Sequence, residues 1–204
     1  MKNILLGLLS VAIAYLIGCI NGAYILTKIL HNKDIRQYGS GNPGSTNTLR
    51  TFGPKTACCV FLFDVIKAYA AVKLSGIICP GNSVVNLLAS IAVVVGHDWS
   101  IMLGFKGGKG VASSLGVGFA HTPLLALSCF LISLIIILLT RLVSLANLIA
   151  VFAVIPLCLI FSKGIYAVIL YIVLFALCAL RHRENIQRLL NGTESRLDLK
   201  LKKK

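Results

Sequence analysis

Three stretches of this chain gather glycine, hydroxyl, amide and basic residues into an otherwise apolar sequence: YGSGNPGSTNTLRTFG (38–53), GHDWSIMLGFKGGKGVASS (96–114) and RHRENIQRLLNGTE (181–194). In the first, Gly39, Gly41 and Gly44 can take backbone conformations closed to other residues, so successive N–H groups can converge on an anion. Ser40, Asn42, Thr46 and Asn47 add neutral donors and Arg50 a fixed charge. The same composition also suits an ordinary turn between helices. GSGNPG satisfies the spacing G-x-G-x-x-G, but that turn holds a pyrophosphate only where a strand runs into the glycines of a soluble βαβ unit. Here the apolar residues 4–30 precede it, and Asp64, the acid at the right distance for a ribose, lies inside a further apolar segment. A dinucleotide site is therefore excluded.

The second stretch carries FKGGKG (105–110). It is not a Walker loop, since Leu103 stands where that motif needs glycine and Gly110 replaces the Ser or Thr that would hold Mg²⁺. Lys106 and Lys109, separated by Gly107 and Gly108, can still fold around a phosphate, with His97 and Asp98 at the end of the preceding apolar segment. Lysines snorkelling at a membrane edge are the alternative, although snorkelling requires no glycine. In the third stretch His182, Asn185 and Leu189 recur at helical spacing beside Arg183 and Glu184. A titratable His next to Glu and Asn can orient or deprotonate a hydroxyl. The following RLDLKLKKK reads as an amphipathic tail on anionic lipid. Asp64 and Lys67, three residues apart on one helical face, are either functional intramembrane charges or a mutually neutralising pair.

The elements that must position these groups follow from composition. With 57% hydrophobic residues, 13% charged and a mean hydropathy of +0.90, the chain lacks the polar surface to cover a soluble globule. The expectation is an all-α integral membrane protein, residues 1–204 forming a single multi-pass domain. Apolar segments of the ~20 residues that cross a bilayer are placed at about 4–29, 56–78, 84–104, 124–142, 144–162 and 165–181. The first reads as a retained helix, because no small-residue cleavage pattern follows a short apolar core. Residues 110–122 are apolar but only about half a span long, and form either a re-entrant turn or a short buried seventh helix. Charge decides between them. With seven crossings and the N-terminus outside, every Lys and Arg except Lys2, Lys163 and the intraspan Lys67 and Lys73 falls on the cytoplasmic side. The seven-helix bundle therefore has its C-terminus in the cytoplasm, and all three polar stretches share that face. The net charge of +14 reflects topology and anionic lipid, not nucleic acid, for which no basic-aromatic interleaving exists. The seven cysteines lie in or beside apolar segments without CxxC or a partnered His, and read as packing residues with no metal site.

Taken together, GSGNPGSTN, GHDWSIMLGFKGGKGVA and HRENIQRLLNGTE resemble, in the same order, the three cytoplasmic motifs of the bacterial inner-membrane acyl-phosphate:glycerol-3-phosphate acyltransferase family. The resemblance covers essentially the whole chain. Pro43 and Ser45 stand where other small residues are common, and CING (19–22) replaces a more usual Ser-Ile-Pro type segment. The family resemblance implies seven helices with the N-terminus outside, and transfer of a fatty acyl group from acyl-phosphate to the sn-1 hydroxyl of glycerol 3-phosphate. The products are lysophosphatidic acid and phosphate, the first acylation of phospholipid synthesis. It implies no cofactor, and a transient contact with the soluble phosphate acyltransferase that makes acyl-phosphate. From the matched motifs, Ser40, Asn42 and Arg50 are expected at the donor phosphate or oxyanion, Lys106, Gly107, Gly108 and Lys109 at glycerol 3-phosphate, and His182 with Asn185 at the reacting hydroxyl. Asn47 and His97 are expected among the substrate contacts. The base is either His182 or a substrate phosphate oxygen. A glycerol 3-phosphate or lysolipid transporter would also need cationic sites, but usually in broken helices of repeated halves, and no internal repeat is present. A scaffold protein would not need three glycine-and-charge loops on one face.

Overall fold

A computed structural model of the chain describes residues 2–197, and among these every regular element is helical. The helices are α1 (Lys2–Cys19), α2 (Gly22–His31), α3 (Ser45–Phe52), α4 (Pro54–Ile78), α5 (Ser83–Asp98), α6 (Val111–His121), α7 (Pro123–Thr140), α8 (Val143–Ile160), α9 (Ile165–Arg181) and α10 (Arg183–Leu190). The expected basic tail from Asp198 to Lys204, and the side chain of Lys2, lie outside the described residues.

The helix boundaries have local causes. Asn21 caps α2 by accepting from the Tyr24 N–H at 2.8 Å, and Asn82 caps α5 by accepting from Val85 at 3.1 Å. Pro54 and Pro123 open α4 and α7, where the missing proline N–H has no partner to lose. Among the described residues, four segments are by length and apolarity able to cross a bilayer: Asn3–His31, Ser83–Leu103, Pro123–Thr140 and Val143–Ile160. A fifth is added if α9 and α10, bent by 67°, are one span. The surface inverts the rule for soluble proteins, with Ile4, Leu5, Leu124, Leu139 and Ile160 exposed and the serines Ser10, Ser75, Ser90 and Ser113 buried. That is the pattern of a bundle solvated by lipid.

The span expected at 4–29 is not one helix. It breaks at Ile20 and Asn21, between α1 and α2. Breaking a helix in an apolar environment frees a carbonyl and an amide that must find partners inside the protein. The Asp64–Lys67 pair of α4 provides them: Lys67 Nζ donates to Ile20 O at 2.6 Å, and Gly22 N–H donates to Asp64 Oδ1 at 3.3 Å. The cation thus sits at the C-terminus of α1 and the anion at the N-terminus of α2, each matching its helix dipole. The two charges lie 2.7 Å apart and are almost fully buried. Of the two accounts open from the sequence, this geometry favours neutralisation with a structural task.

α1 packs most closely on α5. A Cβ at Gly18 would overlap the Val93 carbonyl and one at Gly96 would overlap the Tyr15 carbonyl, so the two backbones touch where only glycine fits. The segment expected at 110–122 is a true helix, α6. Its 11 residues span about 16 Å, well short of a ~30 Å core, and its middle, Ser113 to Gly118, is buried. α4, α7 and α9 pack against it.

Candidate functional site

The three polar stretches meet at one end of the bundle, and their positions begin with the broken first span. Asn21, which caps α2 with its oxygen, uses its amide nitrogen to hold the carbonyl of Pro43 at 3.1 Å. Ser100 Oγ donates to Cys19 O at 2.8 Å, on the other side of the break. The break therefore ties the GSGNPG loop and the HDWS turn to one point. Within the GSGNPG loop the amide of Asn47 accepts from Ser40 N–H at 3.0 Å and donates to Tyr38 O at 2.9 Å. Asn47 is 2% exposed. Both ends of its side chain are engaged within the loop, so this residue, expected at the substrate, shapes the loop while also lining the cavity. Gly41 and Gly44 also bond backward, to Tyr38 O and Asn42 O. What the loop presents outward is Ser40, Asn42 and the uncapped first turn of α3, which begins at Ser45 with no side-chain cap. Arg50, one turn further, donates to the carbonyl of Ser195 at 3.0 Å and so joins this loop to the chain beyond α10.

The glycines of FKGGKG are required by close approach rather than by a free amide. Gly107 N–H donates to Asp98 O at 3.1 Å and Gly108 N–H to His97 O at 3.0 Å. Added Cβ atoms would overlap the His97 carbonyl at Gly107 and the His97 ring at Gly108. The carbonyls of the same glycines are held by Arg181, whose Nη2 reaches Gly107 O and whose Nε reaches Gly108 O, both at 2.9 Å. The guanidinium also lies over the Trp99 ring, 5.2 Å from its centroid. With both amides engaged, the loop offers an anion its lysines: Lys106, exposed, and Lys109, half-buried. His97 is buried beneath the loop, its Nδ1 3.0 Å from Lys67 Nζ. It supports Gly108 from below and links the loop to the intramembrane pair.

The third stretch supplies His182 at the bend between α9 and α10. Its Nδ1 lies 2.8 Å from Cys178 O, so Nδ1 carries the proton and Nε2 is left as the acceptor. Burial lowers its pKa below the ordinary histidine value. Asn185, one turn on, accepts from Lys109 Nζ and donates to Glu194 Oε1 at 2.7 Å. Glu194 also accepts from Ser144 of α8 at 2.8 Å and pairs with Arg188 at 2.8 Å. Burial raises the Glu194 pKa, but the hydrogen bonds from Arg188, Asn185 and Ser144 outweigh it, and the net direction is downward. Lys109 moves down as well, chiefly through burial, with Glu194 opposing.

Glu194, Ser144, Arg181 and Asn21 were not singled out from sequence. Glu194 closes the third motif and Arg181 opens it, so both were within sight. Ser144 is a lone serine at the start of an apolar helix, and nothing in its surroundings marks it.

Most of these groups border one cavity of about 1680 Å³; Asn21, Ser100, Lys67 and Gly108 stand behind its wall. Ser40, Asn42, Arg50, Lys106, Lys109 and His182 line it beside the loops, and mostly apolar side chains of α6, α7, α8 and α9, with Ser114, Ser133 and Asn147 among them, line the rest. Cationic and hydroxyl groups at one end and a greasy slot at the other suit an amphiphile with an anionic head. A neutral imidazole nitrogen at the junction can accept a proton there. Among the described residues no cluster of His, Cys, Asp or Glu has the arrangement of a metal site.

Comparison with known proteins agrees with this chemistry. The family model for glycerol-3-phosphate acyltransferase matches residues 8–192. A glycerol-3-phosphate acyltransferase of Thermoanaerobacter sp. is 47% identical over 192 residues, covering 94% of this chain and 96% of that protein. One from Clostridioides difficile is 41% identical over 192 residues, covering 92% and 94%. The crystal structure of PlsY (YgiH), an integral membrane glycerol 3-phosphate acyltransferase, in its glycerol 3-phosphate form superimposes with a TM-score of 0.88. The two sequences are 38% identical, and the match covers 94% of this chain and 96% of that one. The lysophosphatidic acid form of PlsY gives a TM-score of 0.87 over 94% and 95% of the chains.

Proposed function

The chain belongs to the glycerol-3-phosphate acyltransferase family, and from that premise we propose that it transfers a fatty acyl group from acyl-phosphate to the sn-1 hydroxyl of glycerol 3-phosphate, releasing lysophosphatidic acid and phosphate. The observation that carries this reading is the single cavity, in which cationic loops open directly into an apolar slot. One substrate has a lipid tail that needs the slot, and both have phosphates that need the loops.

We assign residue roles from the matched motifs and from their place around the cavity. Ser40, Asn42, Arg50 and the first turn of α3 receive the donor phosphate and the oxyanion that forms on the acyl carbonyl. Lys106 and Lys109 hold the phosphate of glycerol 3-phosphate, on a loop shaped by Gly107, Gly108 and His97. Two anions repel in solution, and holding both against fixed cations brings the hydroxyl within attack distance of the anhydride. The hydroxyl oxygen bonds to the acyl carbon, the bond from that carbon to the phosphate oxygen breaks, and the hydroxyl proton passes to His182 Nε2 or to an oxygen of a substrate phosphate. Asn185 acts on this step through Lys109, to which its oxygen is bonded. Phosphate is a good leaving group, so neither a metal nor a covalent acyl-enzyme is needed.

The lysines give a first prediction. Lys106→Ala and Lys109→Ala each raise the KM for glycerol 3-phosphate by roughly tenfold to a hundredfold, the worth of a charge-assisted contact of about 1.5–3 kcal/mol. Lys109 also sets a pH limit. Its pKa is depressed by burial, and only the protonated amine attracts the anion. The KM therefore climbs as pH rises through that lowered pKa, below the ordinary lysine value of about 10.4, and this limb is absent in Lys109→Ala. A native enzyme whose KM follows the same pH profile as Lys109→Ala would contradict the assignment.

The chain forms a single membrane domain with seven crossings, α6 being the short one. The N-terminus is outside and the three loops face the cytoplasm at the bacterial inner membrane, where the soluble enzyme that makes acyl-phosphate can reach them. Single cysteines at Ser45, Lys106 and Thr193, in a background with the native cysteines replaced, then react with impermeant thiol reagents only from the cytoplasmic side. Labelling at 106 from outside would mean that α6 does not cross. Donor choice tests the function itself. Acyl-phosphate is expected to support turnover and acyl-CoA not to; equal rates with the two donors would sink the proposal.

A further inference from the structure

The apolar slot has a defined inner end. Counted along each helix from the end that carries the polar loops, the last lining residues of α6, α7, α8 and α9 are Gly118, Ala126, Val154 and Tyr171. Direct approaches connect three of the four: a Cβ at Gly118 would stand 3.1 Å from Ala126 Cβ and 3.2 Å from the Tyr171 hydroxyl. Tyr171 is 4% exposed, and its hydroxyl is hydrogen-bonded to Thr122 Oγ1 just past the end of α6. The ring is thereby pinned at its far end, with no unpaired polar atom facing the slot. Along α9, the rise from Tyr171 to Arg181, which clamps the FKGGKG loop, is about 15 Å.

We propose that this ring of four residues, closed by Tyr171, sets the length of acyl chain that the enzyme transfers. The inference rests on reading the slot as the place of the acyl tail. The carbonyl end of the chain is fixed at the polar mouth, because the reacting carbon must meet the donor-phosphate and hydroxyl groups there. The methyl end therefore lies at a depth given by chain length alone. A chain that stops short leaves the inner ring unfilled and loses contacts, and one that runs past it has to displace close-packed side chains. Tyr171, tied to Thr122, is the residue least able to move aside.

The test uses full-length enzyme in lipid nanodiscs, given glycerol 3-phosphate and an equimolar series of saturated acyl-phosphates, with the lysolipid products resolved by mass spectrometry. Tyr171→Ala opens the inner end, and the ratio of the longest to the native-length product rises by about tenfold or more, the discrimination that a methylene or two gives in an apolar pocket. Ala126→Leu fills the inner end and shifts the profile to shorter chains. Tyr171→Phe keeps the ring but frees it from Thr122, and lengthens the profile less than Tyr171→Ala does. If Tyr171→Ala does not fold, Val154→Ala enlarges the same end and must lengthen the profile. Active Tyr171→Ala or Val154→Ala and Ala126→Leu enzymes with the native chain-length profile would overturn the proposal. A native enzyme that makes no lysolipid from any acyl-phosphate overturns the donor reading instead. The ring is then read from binding of lysophosphatidates of graded length, where unchanged preferences in the variants again overturn it.

Discussion

His182→Ala is expected to lower kcat by ~10² or more while leaving the KM for glycerol 3-phosphate little changed. The histidine is built to act on a proton rather than to hold an anion. Its Nδ1–H is committed to the Cys178 carbonyl at 2.8 Å, which fixes the tautomer and leaves Nε2 as a lone-pair acceptor on a residue that lines the cavity. Burial disfavours its cation, so at neutral pH it offers substrate phosphates no charge, and removing it costs little ground-state binding. What it can supply appears only as the hydroxyl gives up its proton. The lysines behave in the opposite way, with the charge present before and during the reaction, so their loss falls on KM. Measuring both constants for His182→Ala and Lys109→Ala in the same preparation separates the roles. A His182→Ala enzyme with near-normal kcat would assign the proton to the substrate's own phosphate.

Lys67→Met is expected to lower stability by about 3–5 kcal/mol, the cost of leaving a buried charge without its partner. The pair is 2.7 Å apart with side chains 6% and 2% exposed, and Lys67 also donates to Ile20 O at the break in the first span. Asp64→Asn combined with Lys67→Met removes both charges and is expected to cost less than the single change, so the two substitutions are non-additive. Thermal unfolding in detergent reads this directly. The consequence extends to the site, because the same break carries Asn21, which holds the GSGNPG loop, and Ser100 holds its other side. A Lys67→Met protein as stable as the native one would show that the break is held by other means.

The sequence made the membrane class and most helix positions legible, since hydropathy reports which segments exceed the bilayer thickness. The ends expected at 124–142, 144–162 and 165–181 fall close to Pro123–Thr140, Val143–Ile160 and Ile165–Arg181. The break at Ile20 and Asn21 was hidden because hydropathy averages over a window, whereas the break depends on bonds from Lys67, Asp64 and Ser100, residues distant in sequence. Residue types also identified the three loops, but not the division of labour within them. Asn47 and Asn42 look alike on paper, yet the side chain of Asn47 is consumed by its own loop. Gly107 and Gly108 read as spacers that let Lys106 and Lys109 fold around a phosphate, and their N–H groups and carbonyls are taken by His97, Asp98 and Arg181. Ser144 was invisible because its importance comes from Glu194, which reaches it from beyond α10.

The central claim is direct transfer between two anions held in one cavity. It is tested by giving purified enzyme acyl-phosphate with labelled glycerol 3-phosphate and following labelled lysolipid and phosphate by rapid quench. Labelled lysophosphatidic acid should appear in step with phosphate, one for one, and no phosphate should be released when glycerol 3-phosphate is left out. A burst of phosphate without the acceptor, or no labelled lysolipid with it, would contradict the account.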